Sequence, residues 1–142
     1  MICELMGAAR GMAVAALAEL RPDVEDLPQH ILEQQEAGYR LAGVIIGGQA
    51  SAVAVAGFRV TTKLSWGRHL YVDDLVVRED FRGNGHGRAL MHWLVDQARH
   101  DGCGDLHLDS GVGGERFDAH GLYHSTGMRI TAHHFAVLVP PA

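Results

Sequence analysis

The stretch Val76-Val77-Arg78-Glu79-Asp80-Phe81-Arg82-Gly83-Asn84-Gly85-His86-Gly87-Arg88-Ala89-Leu90-Met91 lies in the middle of the chain and joins two different textures of sequence. Upstream, residues 69–77 are rich in β-branched side chains and read as a strand that stops at the polar Arg78-Glu79-Asp80. Downstream, Ala89, Leu90, Trp93, Leu94 and Ala98 recur at helical spacing, which predicts one buried face and a helix that ends before Gly102 and Gly104. A strand, the turn Arg82-Gly83-Asn84-Gly85-His86-Gly87 and a helix together present several backbone N–H groups and a positive helix end toward one point, which attracts phosphate. Glycine suits such a turn because a side chain would block close approach of the backbone and because left-handed conformations are costly to other residues. Arg82 and Arg88 flank the turn and can add charge-assisted contacts to phosphate oxygens.

Other glycine-rich cradles fit less well. A dinucleotide site needs Gly-x-Gly-x-x-Gly after an early strand, with an acid about twenty residues further on. Gly83, Gly85 and Gly87 have the wrong spacing, and their strand follows a hairpin in mid-chain. A Walker A loop ends in Gly-Lys-Ser or Gly-Lys-Thr, and no lysine occurs after Lys63. A connector that binds nothing is the remaining reading of the spacing alone.

Outward from the turn, the pattern is regular. Residues 12–20 are strong helix formers stopped by Arg21-Pro22, and a second helix over 27–37 starts at Asp26 or Leu27, with Pro28 near its first position and Gly38 beyond its end. Residues 39–46, the Gly47-Gly48 turn and residues 50–62 read as an antiparallel hairpin. After the long helix come a short strand over 106–109, a loop with Gly111, Gly113 and Gly114, a helix over about 115–125 and a last strand over 128–139. The order α-α-β-β-β-α-β-α-β predicts one α+β domain over residues 1–142, mixed and three-layered, with helices on both faces of the sheet.

Composition bounds the partners. The chain has 142 residues, 47% hydrophobic and 20% charged, as expected of a soluble globular protein, and its net charge of −5 argues against a nucleic-acid backbone as ligand. Cys3 and Cys103 stand a hundred residues apart, so neither a disulfide framework nor a zinc site is expected, and a reducing cytoplasm is the natural compartment. The first residues lack a basic segment and the apolar run from Met12 is short, which predicts neither export nor membrane insertion. The ten histidines are scattered away from metal-ligand spacing, so no metal is expected.

The quoted stretch resembles the acetyl-CoA-binding motif of the GNAT acetyltransferases. The likeness extends to Leu106-His107-Leu108-Asp109-Ser110-Gly111 and to Ala119-His120-Gly121-Leu122-Tyr123-His124-Ser125-Thr126-Gly127-Met128, which is similar to the fifth strand and following helix of that superfamily. The resemblance implies a GNAT-like fold with a central, mostly antiparallel sheet, and acetyl-CoA as acyl donor. It implies that the backbone of Leu75, Val76 and Val77 pairs with pantetheine, and that Arg82, Gly83, Asn84, Gly85, His86, Gly87 and Arg88 hold the pyrophosphate. Tyr123 matches the tyrosine that protonates the departing thiolate in the family. Homodimers are common among its members. The family opens with a strand, whereas residues 1–10 read as a poor one.

On the acceptor side, an alkylamine is mostly ammonium at neutral pH and must lose a proton before it attacks. Asp73 and Asp74 lie on the strand leading into the turn, where alternation predicts that one points into the cleft and the other away, and they resemble the Glu-Asp pair of spermidine/spermine acetyltransferases. Either Asp73 or Asp74 is the candidate base or cation holder, with Tyr123 as acid; pairing with Arg59 or Arg68 is the competing, structural role. Asp109, Ser110, Asp118 and His120 are weaker candidates, and Cys103 has no nucleophile environment. The function expected is N-acetyl transfer to a small-molecule primary amine by direct attack, the alternative being a non-catalytic acyl-CoA-binding module of the same fold.

Overall fold

Apolar residues across the middle of the chain, Leu41, Ala42, Val55, Ala56, Leu70 and Val76 among them, are buried on both faces of a single sheet. In the computed structural model, which describes residues 1–142, that sheet has five strands in the order β1 (Ile2–Glu4), β2 (Arg40–Val44), β3 (Ala54–Lys63), β4 (Gly67–Val77) and β5 (Asp105–Leu108). The first three neighbour pairs are antiparallel, and β4 and β5 are parallel, as a strand-helix-strand crossover requires. The chain gathers into two compact units, Met1–Leu108 and Asp109–Ala142.

In the first unit, helices cover both faces of the sheet. A 3-10 turn over Gly7–Ala13 runs into α1 (Val14–Leu20), and α2 (Leu27–Glu36) follows. Ala13, Ala16, Leu17 and Ile31 from this segment pack on Leu41, Val55 and Val76. The opposite face receives α3 (His86–His100), which buries Leu90, Met91, Leu94 and Ala98 and sets Trp93 edge-on to Phe58 at 6.1 Å between ring centroids. The mixed three-layer architecture and mostly antiparallel sheet thus agree with the sequence.

The expected element order changes at its two ends. The first residues do form a strand: Ile2, Cys3 and Glu4 pair with Val44, Gly43 and Ala42, and Leu5, buried, donates its N–H to the Leu41 carbonyl at 2.8 Å. Three edge residues held by a neighbour's backbone carry little propensity signal. Asp26 does not cap α2 with its side chain; it sits in the left-handed region at φ 48°, and its carbonyl accepts from Gln29 and His30.

The second unit holds a 3-10 turn over Gly114–Arg116 and α4 (Phe117–Ser125). The strand expected over 128–139 is absent: these residues pair with no strand, and Ile130, Phe135, Val137, Leu138 and Val139 are 75–93% exposed. Apolar residues in that stretch build no strand without a neighbour to pair with.

Candidate active site

The site in the first unit is built on an irregularity in β4. Pairing with β3 runs Val76↔Val55, Leu75↔Ala56 and Asp74↔Gly57, then passes directly to Val72↔Phe58, so that Asp73 is an extra residue opposite the Gly57–Phe58 step. Such a bulge breaks the two-residue alternation of a strand. Its consequence overturns the expectation that Asp73 and Asp74 face opposite ways: both carboxylates turn to the face covered by α1 and α2, and both line one cavity there of about 640 Å³.

Each carboxylate is held by its own arginine. Asp74 accepts from Arg21 Nε and Nη2 at 2.9 and 2.7 Å through Oδ1, and from the Tyr39 hydroxyl at 2.6 Å through Oδ2. Asp73 accepts from Arg59 Nε at 2.9 Å through Oδ2, and its Oδ1 takes no hydrogen bond from the protein. Arg59 is itself fixed by Gln34 and by the face of the Tyr39 ring, 5.3 Å from its centroid. Arg59 is thus the partner that sequence reasoning offered for an aspartate; Arg68 instead donates to the Asp101 carbonyl at 2.7 Å.

Tyr39 is the residue that sequence reasoning missed. It is buried, and its hydroxyl end lies over Gly57, where an added methyl group would overlap the hydroxyl. Burial, followed by the neighbouring Asp74 carboxylate, holds its phenol far above the ordinary tyrosine range, so the hydroxyl remains a donor. The available signal was Gly57 within an apolar strand, since strand glycines often mark a bulge or a close approach.

The bulge also ends the pairing of β4 with β5. Their register runs from His69↔Asp105 to Val72↔Leu108 and goes no further, so Leu75, Val76 and Val77 pair with β3 on one side and with no strand on the other. That edge leads through a short 3-10 turn, Glu79–Phe81, into the glycine turn. Gly83 and Gly85 have φ of +78° and +80°, and Gly85 is the residue before α3. The first N–H that returns into the helix is that of Ala89, to Gly85 at 3.0 Å, so the N–H groups of the first turn have no acceptor within the helix. Nothing lies within 4 Å of where a Cβ at Gly83 or Gly85 would stand, leaving room for a ligand against the backbone. Arg82 donates through Nε to the Val77 carbonyl at 3.1 Å, and Asn84 ties the turn to the Phe81 and Arg82 carbonyls. A polar strand edge leading to a helix N-terminus with two open glycines is a cradle suited to an extended amide chain ending in a pyrophosphate.

In the second unit, Tyr123 lies on α4, half-buried, and burial raises its phenol above the ordinary value against the opposing effect of Arg116. His120 Nε2 lies 2.8 Å from the Gly111 carbonyl and 3.0 Å from Ser110 Oγ, a contact that pins the loop before α4. Asp109 and His134 pair at 3.4 Å. Cys103, in the first unit, is half-buried, and burial raises its thiol, which disfavours the thiolate. No helix is long and apolar enough to cross a membrane.

Comparison with known proteins agrees with this fold. Residues 10–128 match the model of the acetyltransferase (GNAT) family. The chain is 36% identical over 70 residues to an uncharacterised N-acetyltransferase, YhdJ, of Bacillus subtilis (strain 168), a match covering 49% of this chain and 48% of that protein. It is 38% identical over 55 residues to streptothricin acetyltransferase of Streptomyces lavendulae, covering 39% of this chain and 29% of that one. The matches therefore span about half or less of these curated relatives. Among solved structures, a ribosomal-protein-alanine N-acetyltransferase from Brucella melitensis biovar Abortus 2308 superposes with a TM-score of 0.81 at 21% identity, over 99% of each chain. The structure of AAC(6')-Iy in complex with the bisubstrate analogue CoA-S-monomethyl-acetylneamine superposes with a TM-score of 0.83 at 13% identity, over 99% of this chain and 98% of that one. At these identities the structural likeness establishes the fold.

Proposed function

The chain belongs to the GNAT acetyltransferase family, and on that premise we propose that it transfers an acetyl group from acetyl-CoA to a primary amine of a small molecule, by direct attack of the amine. The observation that carries the reading is the continuous run from the unpaired edge of β4 at Leu75, Val76 and Val77 to the open glycine turn at the start of α3. Acetyl-CoA, when bound, supplies a thioester carbon reactive toward amines. The chain's own groups do the rest. The backbone edge of β4 aligns the pantetheine arm; the N–H groups between Gly83 and Arg88, with the side chains of Arg82 and Arg88, hold the pyrophosphate. Asp73, whose Oδ1 is uncommitted, takes the proton of the incoming ammonium, while Asp74, with both oxygens occupied, fixes the bulge that aims Asp73. Tyr123, kept protonated by burial, donates to the leaving sulfur. The raised Cys103 thiol gives no support to a route through an acetyl-cysteine.

Calorimetric titration with CoA, alongside thiol release from acetyl-CoA over a panel of amines, tests this. Arg82→Glu and Gly85→Val are expected to weaken CoA binding by roughly a hundred-fold, about 2.7 kcal/mol, with circular dichroism unchanged. Asp73→Asn should lower kcat/KM by at least about a hundred-fold while CoA affinity stays within about two-fold, and Tyr123→Phe should lower kcat more than it raises KM. CoA binding that survives both turn variants, or CoA binding with no amine turned over, would remove the reading.

A further inference from the structure

Helix α1 carries one side chain that does not line the cavity beneath it and reaches the opposite end of β4. Glu19 Oε2 accepts from the Glu79 N–H at 2.8 Å, and Glu19 Oε1 lies 3.8 Å from Arg78 Nε. Glu79 is the first residue of the 3-10 turn that joins β4 to the glycine turn. The leading N–H groups of a helical turn need an acceptor from outside it, and Arg78, at the capping position, makes no side-chain cap. A carboxylate 60 residues earlier in the chain takes that place.

The contact is made from an anchored element onto the one joint that aims the turn. Leu17 is only 3% exposed, and the Arg21 N–H closes on its carbonyl at 2.8 Å, so the end of α1 that presents Glu19 is fixed. On the other side, Arg78 lies over the Phe81 ring, 5.3 Å from the centroid, and its Nε is buried without a hydrogen-bond partner, which leaves the Glu19 carboxylate to balance its charge. The Phe81 and Arg82 N–H groups close on the Arg78 and Glu79 carbonyls at 2.9 and 3.3 Å. The direction in which the chain passes Glu79 therefore decides where Arg82, Gly83 and Gly85 stand. We propose that Glu19 is a positioning residue for the acyl donor: through the Glu79 N–H it holds the entry to the glycine turn, so that the N–H groups between Gly83 and Arg88 converge on the pyrophosphate. The inference rests on the transferase reading for what the turn holds.

CoA and pantetheine separate this role from a general structural one, because pantetheine is the thiol arm without the phosphates. Glu19→Ala is expected to weaken CoA binding at least about ten-fold by calorimetry, the scale of one charge-assisted hydrogen bond, with Tm within about 3 °C of wild type. Pantetheine, measured by competition, should stay within about two-fold. Glu19→Gln, which keeps an oxygen for the Glu79 N–H, should bind CoA within about three-fold of wild type. By hydrogen exchange, the Glu79 amide should lose protection in Glu19→Ala and regain it in Glu19→Gln. In turnover, Glu19→Ala should raise KM for acetyl-CoA at least about ten-fold and leave kcat within about two-fold. Unchanged CoA affinity in Glu19→Ala, equal losses for CoA and pantetheine, or Glu19→Gln behaving as Glu19→Ala would overturn the inference and leave amine acetylation standing. CoA binding that depends on Glu19 in this pattern, with no amine turned over, would sustain it and overturn the transferase reading; a wild type that binds no CoA would overturn both.

Discussion

The two ends of β4 solve the same problem, a strand that must stop behaving as a strand, by opposite means. At its C-terminal end the device is local: Gly83 and Gly85 take left-handed backbone in consecutive chain, the helix follows at once, and open space surrounds both residues. In its middle the device is distributed. The bulge at Asp73 is held by Arg21 just after α1, Gln34 from α2 through Arg59, Tyr39 just before β2 and Arg59 from β3. A local device needs the right backbone at one place, whereas a distributed one needs several packed side chains. The first should therefore tolerate substitution in folding and fail in binding; the second should fail in folding and leave binding at the turn intact.

The largest expected effect on folding is at Gly57. Alanine there would place its methyl group on the Tyr39 hydroxyl, and Tyr39 cannot swing away without giving up Asp74 and its stack with Arg59. We expect a loss of about 3 kcal/mol, roughly 10 °C in Tm for a chain of this size, read by thermal and urea unfolding. A Tyr39→Leu background should recover part of that loss in a double-mutant cycle. Simple additivity would show that the two groups do not compete for the same space.

Tyr39→Phe should cost less, about 1.5 kcal/mol, because the ring remains and only the hydrogen bond to a charged partner goes. It also carries a pH signature. The folded phenol is raised above its ordinary value of 10.0, so stability from this group is fully present below about pH 10 and falls as pH rises, since the unfolded tyrosine releases its proton while the folded one keeps it. Wild-type stability should drop by about 1.4 kcal/mol per pH unit more steeply than that of Tyr39→Phe between about pH 10 and 12. Parallel curves would mean that the hydroxyl is not held as described.

Legibility in the sequence followed the same division. The turn was readable because every element of it, strand, glycines, flanking arginines and amphipathic helix, is contiguous, and the central helix and hairpin were readable from periodicity. Asp73 and Asp74 were found by their position, yet their orientation was misjudged, because a bulge is created by pairing with β3 and leaves no mark on β4 itself beyond Gly57 on the neighbour. Tyr39 went unnoticed for the same reason: its partners are 35 residues away in Asp74 and on the neighbouring strand in Arg59. Strand β1 and residues 128–139 erred in opposite directions, since in each case a pairing partner, or its absence, outweighed local character.

The smallest effect on stability, and the sharpest form of the contrast, belongs to Gly85→Ala. At φ +80° any side chain is strained, but the Cβ would meet nothing within 4 Å, so the cost to folding is the backbone penalty alone, about 1 kcal/mol. CoA would nonetheless have to share that open space with the methyl group, and its affinity should fall by at least about ten-fold by calorimetry, far more than the change in stability would suggest. Gly57→Ala reverses the order, a large loss of stability with CoA affinity in the surviving folded fraction within about two-fold of wild type, because the glycine turn does not depend on Tyr39. A Gly85→Ala variant that bound CoA normally would mean that the space over the turn is not where the ligand lies, and the contrast between the two ends of β4 would then be one of folding only.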